Sequence, residues 1–214
     1  MNRLKTLCGV LTLLASTMAS AEPVLKVGSA VIAPLHFNGF EAIKTNGVFY
    51  TGGPGPYDEG GITVTQYQAD AGNNIFVTLG GTEGEYSWYP DGGDHGYTGI
   101  TLTSGGNFSE ISFLFHVWGT NSLQYSLLND GTQVLGGFVT TNDGEVGLAG
   151  FTGGGFDQVL LRSGDTGTFG DGRGQALQID SIGAEPTAVP EPGSLALLGL
   201  GMFGLAAARR RFPK

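Results

Sequence analysis

Asn107-Phe108-Ser109-Glu110-Ile111-Ser112-Phe113-Leu114-Phe115-His116-Val117-Trp118 is the longest stretch between Glu22 and Pro190 that contains neither glycine nor proline. Twelve residues would suffice for a helix, yet the apolar side chains recur with period two. Ile111, Phe113, Phe115 and Val117 fall on one face, and Ser112, Leu114, His116 and Trp118 on the other, which predicts a strand buried on one side. Shorter runs outward from it repeat the pattern. Ile62 and Val64 oppose Thr63, Thr65 and Tyr67; Ile75, Val77 and Leu79 oppose Phe76 and Thr78; Ile100 and Leu102 oppose Thr101 and Thr103. Threonine on the outer side suits an antiparallel sheet with one wet face. Leu123 to Leu128 and Gln133 to Thr140 flank Asn129-Asp130-Gly131, and Asn142-Asp143-Gly144 opens a further return, both in the form of hairpin turns. Val159 to Leu161 and Leu177 to Ile182 complete about nine to eleven strands. The expected fold is all-β, an antiparallel β-sandwich of jelly-roll-like type.

Composition agrees. The chain holds 39 glycines and 9 prolines in 214 residues, too many for a mainly helical protein, without the three-residue period of collagen. The charge is −9 overall, but the basic residues crowd the ends: Arg3 and Lys5 at the front, Arg209, Arg210, Arg211 and Lys214 at the back. Between Glu22 and Pro190 only four basic residues face eighteen acidic ones, a net of −14. So acidic a balance disfavours nucleic acid as a partner, since a backbone binder needs a basic face.

Residues 1–21 read as a signal peptide: a basic start, the apolar run Leu7 to Ala15, and Ala19-Ser20-Ala21 before Glu22. The sole cysteine, Cys8, leaves with it. The β-sandwich body is expected over 22–183 and a linker over 184–188. From 189 to 214 come Pro190-Glu191-Pro192, an uncharged run from Leu195 to Ala208, and the arginines at 209, 210 and 211. Each proline fixes its own φ and pushes its predecessor out of the helical region, so the tripeptide is extended. The fourteen-residue run would span about 21 Å as a helix, a short transmembrane segment whose arginines hold the C-terminus inside.

The order of these three parts resembles the PEP-CTERM sorting signal of exported proteins in Gram-negative bacteria that make extracellular polysaccharide. The resemblance covers about 26 residues and implies an exosortase-type sorting enzyme as partner, acting at Pro190, Glu191 and Pro192. It further implies transit through the inner membrane to the cell surface or the extracellular matrix.

No catalytic motif is visible. His36, His95 and His116 are scattered, there is no His-Glu-x-x-His and no Gly-x-Ser-x-Gly, and Gly153-Gly154-Gly155 lacks the lysine of a phosphate loop and reads as a tight connection between strands. The expected role is non-enzymatic, with extracellular polysaccharide as ligand; the alternative is a hydrolase or lyase using two of the carboxylates on the same fold. The densest aromatic segment runs from Tyr86 to Tyr97. Trp88, Tyr89 and Tyr97 could stack on sugar rings, and Asp91, Asp94 and His95 could bond to hydroxyls; the competing reading puts Trp88 in the core above a Pro-Asp-Gly-Gly turn. His116 and Trp118 are a second candidate surface. Jelly-roll carbohydrate-binding modules, which the body resembles in inferred architecture, often hold a structural Ca²⁺ near their first and last strands. That resemblance would give the ion to Glu41 and Asp180.

Overall fold

A computed structural model describes residues 21–42, 56–67, 75–79, 84, 86–90, 96–142, 144–164, 167–169, 177–188 and 202. Among these, thirteen strands form two sheets in which every pairing is antiparallel. The first sheet runs β1 (Val24–Val27), β11 (Val146–Phe156), β8 (Phe108–Val117), β13 (Leu177–Pro186), β6 (Tyr86–Pro90) and β5 (Ile75–Leu79), with β2 (His36–Asn38) also paired to β13. The second runs β10 (Thr132–Thr140), β9 (Ser122–Asn129), β12 (Gln158–Ser163), β7 (Tyr97–Leu102), β4 (Ile62–Tyr67) and β3 (Tyr57–Glu59). From β6 onward the chain passes back and forth between the sheets. Among the described residues no helix is long and apolar enough to cross a membrane. The signal peptide and the C-terminal helix read from the sequence lie outside the described residues.

The decisive stretch becomes β8 at the centre of the first sheet. Ile111, Phe113, Phe115 and Val117 are buried between the sheets, as the alternation requires, against Phe151 of β11 and Ile179 of β13. From the second sheet Ile62, Val64, Ile100, Leu123 and Leu127 meet them. Trp88, 1% exposed, lies against Phe40 and Tyr57 (ring centroids 6.0 and 6.4 Å) and sends its indole N–H across the sandwich to Thr98 Oγ1 at 3.2 Å. An indole can be buried without loss only when its one donor finds such a partner.

Two hairpins show why the glycines stand where they do. Asp130 and Gly131 join β9 to β10 with φ of 49° and 75°, both in the left-handed region that a two-residue hairpin needs. Gly60 and Gly61 join β3 to β4 in the same manner, with φ of 57° and 85°. A Cβ on Gly60 would stand 1.7 Å from the Phe37 carbonyl oxygen, because β2 crosses directly over this turn. His36 Nδ1 lies 3.1 Å from the Gly60 oxygen, and Asn38 Nδ2 donates to the Ile62 oxygen at 3.3 Å. The turn therefore ties the edge of the second sheet to the first.

Three expectations need correction. Glu145 N–H donates to the Asn142 oxygen at 3.0 Å, but the connection here is no hairpin, since β10 and β11 belong to different sheets. Gly153-Gly154-Gly155 is no connection: it lies inside β11, as an irregularity between Thr152 and Phe156 where all three φ are positive. A glycine run tells of φ freedom, which turns and bulges use alike. Strands also number more than eleven, because short edge pieces such as β2 and β3 carry too few residues for alternation to show. At the end of the body β13 continues to Pro186, into the segment read as linker, and Thr187 N–H donates to the Asn107 oxygen at 2.7 Å.

The outer faces differ. Over the first sheet, the stretch between β1 and β2 crosses the strands, with Val31 N–H donating to Ser112 Oγ at 2.9 Å. At one end of this sheet Val24, Thr152, Glu110 and Glu185 stand in a single cross-strand row. On the second sheet, residues 167–169 fold back over β9 and β12, where Gln124 Nε2 donates to the Gly167 oxygen at 3.1 Å.

Candidate functional groove

The aromatic segment singled out in the sequence is divided by the crossing from β6 to β7. Trp88 points into the core, so the competing reading holds for it. Tyr89, its neighbour, turns to the outer face of the first sheet and meets Trp118 edge-on (5.5 Å, 84°), and Trp118 packs on His116 at 3.8 Å. Two candidates far apart in sequence thus join through β13, whose Gln178 stands opposite His116. Tyr97 goes to the other side of the molecule, the outer face of the second sheet. Asp91, Asp94 and His95 lie outside the described residues, as do Pro190, Glu191, Pro192, Arg209, Arg210 and Arg211.

On that second face Tyr97 stacks on Tyr67 (5.1 Å, 21°) and receives the edge of Phe169 at 5.5 Å. Tyr67 in turn lies over Gly99, where a Cβ would come within 2.4 Å of its ring, and its hydroxyl accepts the Gln158 amide at 3.0 Å. Burial, and secondarily Tyr67 beside it, raise the Tyr97 hydroxyl above the ordinary tyrosine value of 10.0; burial alone does the same for Tyr125. A phenol raised on folding gives its full stabilisation below the unfolded value, near pH 10, and loses it as pH climbs through the folded one. The melting temperature should therefore fall as pH rises above about 10, and Tyr97→Phe should blunt the fall. Parallel curves for the two proteins would show that Tyr97 has no part in it.

Beside this cluster runs a groove of about 500 Å³ between β10, β9 and residues 167–169. Phe138, 45% exposed, and Phe169 line it together with Leu160 and Gly136, and Gln124, Ser126 and Gln133 supply polar atoms. Arg162, only 2% exposed, holds the assembly in place. Its Nε donates to Gln124 Oε1, one terminal nitrogen donates to the Thr168 oxygen at 2.9 Å, and the guanidinium lies 5.9 Å from the Phe169 ring centre. A guanidinium so buried is tolerable only when its donors are met, and the same bonds orient the Gln124 amide and the 167–169 backbone. Ser126 Oγ donates to Gln133 Oε1 at 2.9 Å.

Amides and hydroxyls beside aromatic rings can bond polyol hydroxyls as donor or acceptor while the rings cover C–H faces. No Asp, Glu or His is among the described lining residues, so they hold no carboxylate pair for acid and base roles. A second depression, of about 380 Å³, has one carboxylate, Asp157, whose Oδ2 already accepts Asp130 N–H at 3.0 Å.

The two acidic residues considered for calcium each accept a backbone N–H. Glu41 Oε1 accepts Tyr86 N–H at 3.1 Å, and Asp180, 1% exposed, accepts Ser181 N–H at 2.7 Å where Ser181 adopts a φ of 49°. Among the described residues no three His, Cys, Asp or Glu side chains gather closely enough to share a metal.

Phe138, Phe169, Arg162, Gln124 and Tyr67 were not singled out in the sequence. One signal could have found part of the set: Arg162 is one of four basic residues in the body and follows directly on the apolar run Val159 to Leu161.

Residues 188–211 match the family model of the PEP-CTERM protein-sorting motif, which marks the chain as exported. A search of curated proteins finds no match. Among solved structures, two mutants of CBM29-2, a family 29 carbohydrate-binding module studied for ligand recognition, are similar at 13% and 12% identity. They cover 76% and 79% of this chain and 92% and 99% of theirs, with TM-scores of 0.39 and 0.38. TmCBM61, solved in complex with β-1,4-galactotriose, is similar at 11% identity over 59% of this chain and 88% of its own, with a TM-score of 0.28. At such scores these likenesses say nothing of this chain's ligand, which has to be read from its own side chains.

Proposed function

We propose that this exported chain, bearing a PEP-CTERM sorting motif, is a non-catalytic β-sandwich that holds extracellular polysaccharide in the groove on its second sheet. The sorting motif would be handled by an exosortase-type enzyme while the apolar run from Leu195 to Ala208 sits in the inner membrane, and the body would then act at the cell surface or in the surrounding matrix. The observation that carries the binding role is the groove itself: two phenylalanines beside three neutral polar side chains, with a buried arginine fixing one of those amides.

The groove favours a neutral or weakly charged glycan. A body of net −14 repels polyanions at long range, and the groove-lining residues offer no exposed cation to offset this.

Retention on insoluble exopolysaccharide tests the reading. Phe138→Ala removes a ring that is nearly half exposed, so the melting temperature should hold within a degree or two. Affinity should fall about tenfold, the usual loss when an aromatic anchor is truncated. Unchanged retention of Phe138→Ala, together with unchanged retention of Phe169→Ala, would remove the groove from the function.

A further inference from the structure

The end of the first sheet that carries the row from Val24 to Glu185 is also where apolar side chains point into solvent. Ile32 is 93% exposed, Leu35 67%, Val24 56% and Phe37 44%. Behind them a mainly apolar groove of about 280 Å³ is lined by Val31, Pro34, Phe37, Leu114 and Leu148, among others. Scattered exposed hydrophobes need no explanation, but two on the crossing segment and one on each strand it joins, over an apolar groove, mark a surface that meets something.

What it meets is indicated by where the chain goes next. Leu35 N–H donates to Glu185 Oε1 at 2.7 Å, and His36 pairs with Ala184. The crossing segment therefore lies against the last residues of β13. Beyond Ala188 the sequence needs only seven peptide steps to reach Leu195, at most about 25 Å even when fully extended. Once the run from Leu195 to Ala208 is inserted, this end of the sandwich cannot be farther than that from the headgroups. The body's charge of −14 gives it no electrostatic hold on a membrane, so any contact has to be made by apolar tips.

We propose that this end of the first sheet rests on the lipid surface before sorting, with Ile32 and Leu35 entering the boundary between headgroups and acyl chains. The inference builds on the membrane reading of Leu195 to Ala208. It assigns the β1–β2 crossing a role separate from the groove on the second sheet: it fixes how the body sits above the bilayer, and with it how the tripeptide at 190–192 is presented.

The test uses the full chain with Cys8→Ser, reconstituted into phosphatidylcholine vesicles and carrying a single polarity-sensitive nitrobenzoxadiazole label at Ile32→Cys or, as control, at Val134→Cys on β10 of the other sheet. On vesicles the label at 32 should shift to the blue and lose most of its accessibility to iodide, while the label at 134 keeps its aqueous spectrum. If the protein resists carbonate extraction yet the label at 32 stays aqueous, the docking surface is refuted and the membrane segment stands. A protein that washes off the vesicles refutes both. A blue shift at 32 that appears without vesicles means that a second copy, or this chain's own apolar run, covers the patch, and that also overturns the proposal.

Discussion

Replacing Trp88 by alanine is expected to lower the unfolding free energy by about 3–5 kcal/mol, the range for removing a fully buried large aromatic side chain. For a domain of this size that is a fall in melting temperature of roughly 10 °C. The side chain is 1% exposed, lies against Phe40 and Tyr57, and holds Thr98 on the opposite sheet through its N–H. Its loss opens a cavity between the sheets and leaves a buried hydroxyl without its partner, two penalties that add. Trp88→Phe should recover much of the packing but not the bond to Thr98, and so fall between wild type and alanine. Thermal unfolding followed by circular dichroism decides: an alanine variant that melts within 2 °C of wild type would show that Trp88 does not hold the sheets together. Any loss of polysaccharide retention in this variant would follow from unfolding, which is why Phe138 is the position at which to probe binding.

Gly60→Ala should cost about 3 kcal/mol, although it adds a single methyl group. Part of this is the left-handed φ of 57°, which an alanine adopts at a cost. The larger part is contact: the new Cβ would stand 1.7 Å from the Phe37 carbonyl oxygen, a backbone atom that no rotamer change can move aside. Either the β3–β4 turn or β2 must give way, and with it the bonds from Asn38 to Ile62 and between His36 and Gly60. Gly105→Ala is the natural comparison, since Gly105 has a φ of 75° but nothing within 4 Å of the added carbon. It should cost only about 1 kcal/mol, the conformational share alone. Equal losses in the two variants would mean that β2 does not press on the turn; a larger loss at Gly60, with faster hydrogen exchange at the β2 amides, is the expected result.

The two variants also mark what the sequence makes legible. Alternation along Asn107 to Trp118 and the Asp130-Gly131 turn are local signals, and both describe the structure, because side-chain period and left-handed φ are set within a few residues. Gly60 carries no such signal: nothing local reveals that β2, some twenty residues earlier, crosses above it. The groove is hidden for the same reason. Gln124, Phe138, Arg162 and Phe169 come from three strands and a return segment, and only strand pairing brings them together. Conversely, Tyr89 and Tyr97 look like one surface because eight positions separate them, yet the chain crosses from the first sheet to the second between β6 and β7 and turns the two rings apart.

The row formed by Val24, Thr152, Glu110 and Glu185 bears on export in a way that concerns chain topology. Four neighbouring strands at about 4.8 Å spacing put the first and last residues of the body roughly 14 Å apart, on one end of one sheet. A polypeptide whose entry and exit are neighbours can close its sheets while both ends are still pinned to the same plane, with no thread to be pulled through and no end that must be freed first. The fold therefore sets no order in which its two ends would have to be released, because the sheets between them close without either end being free.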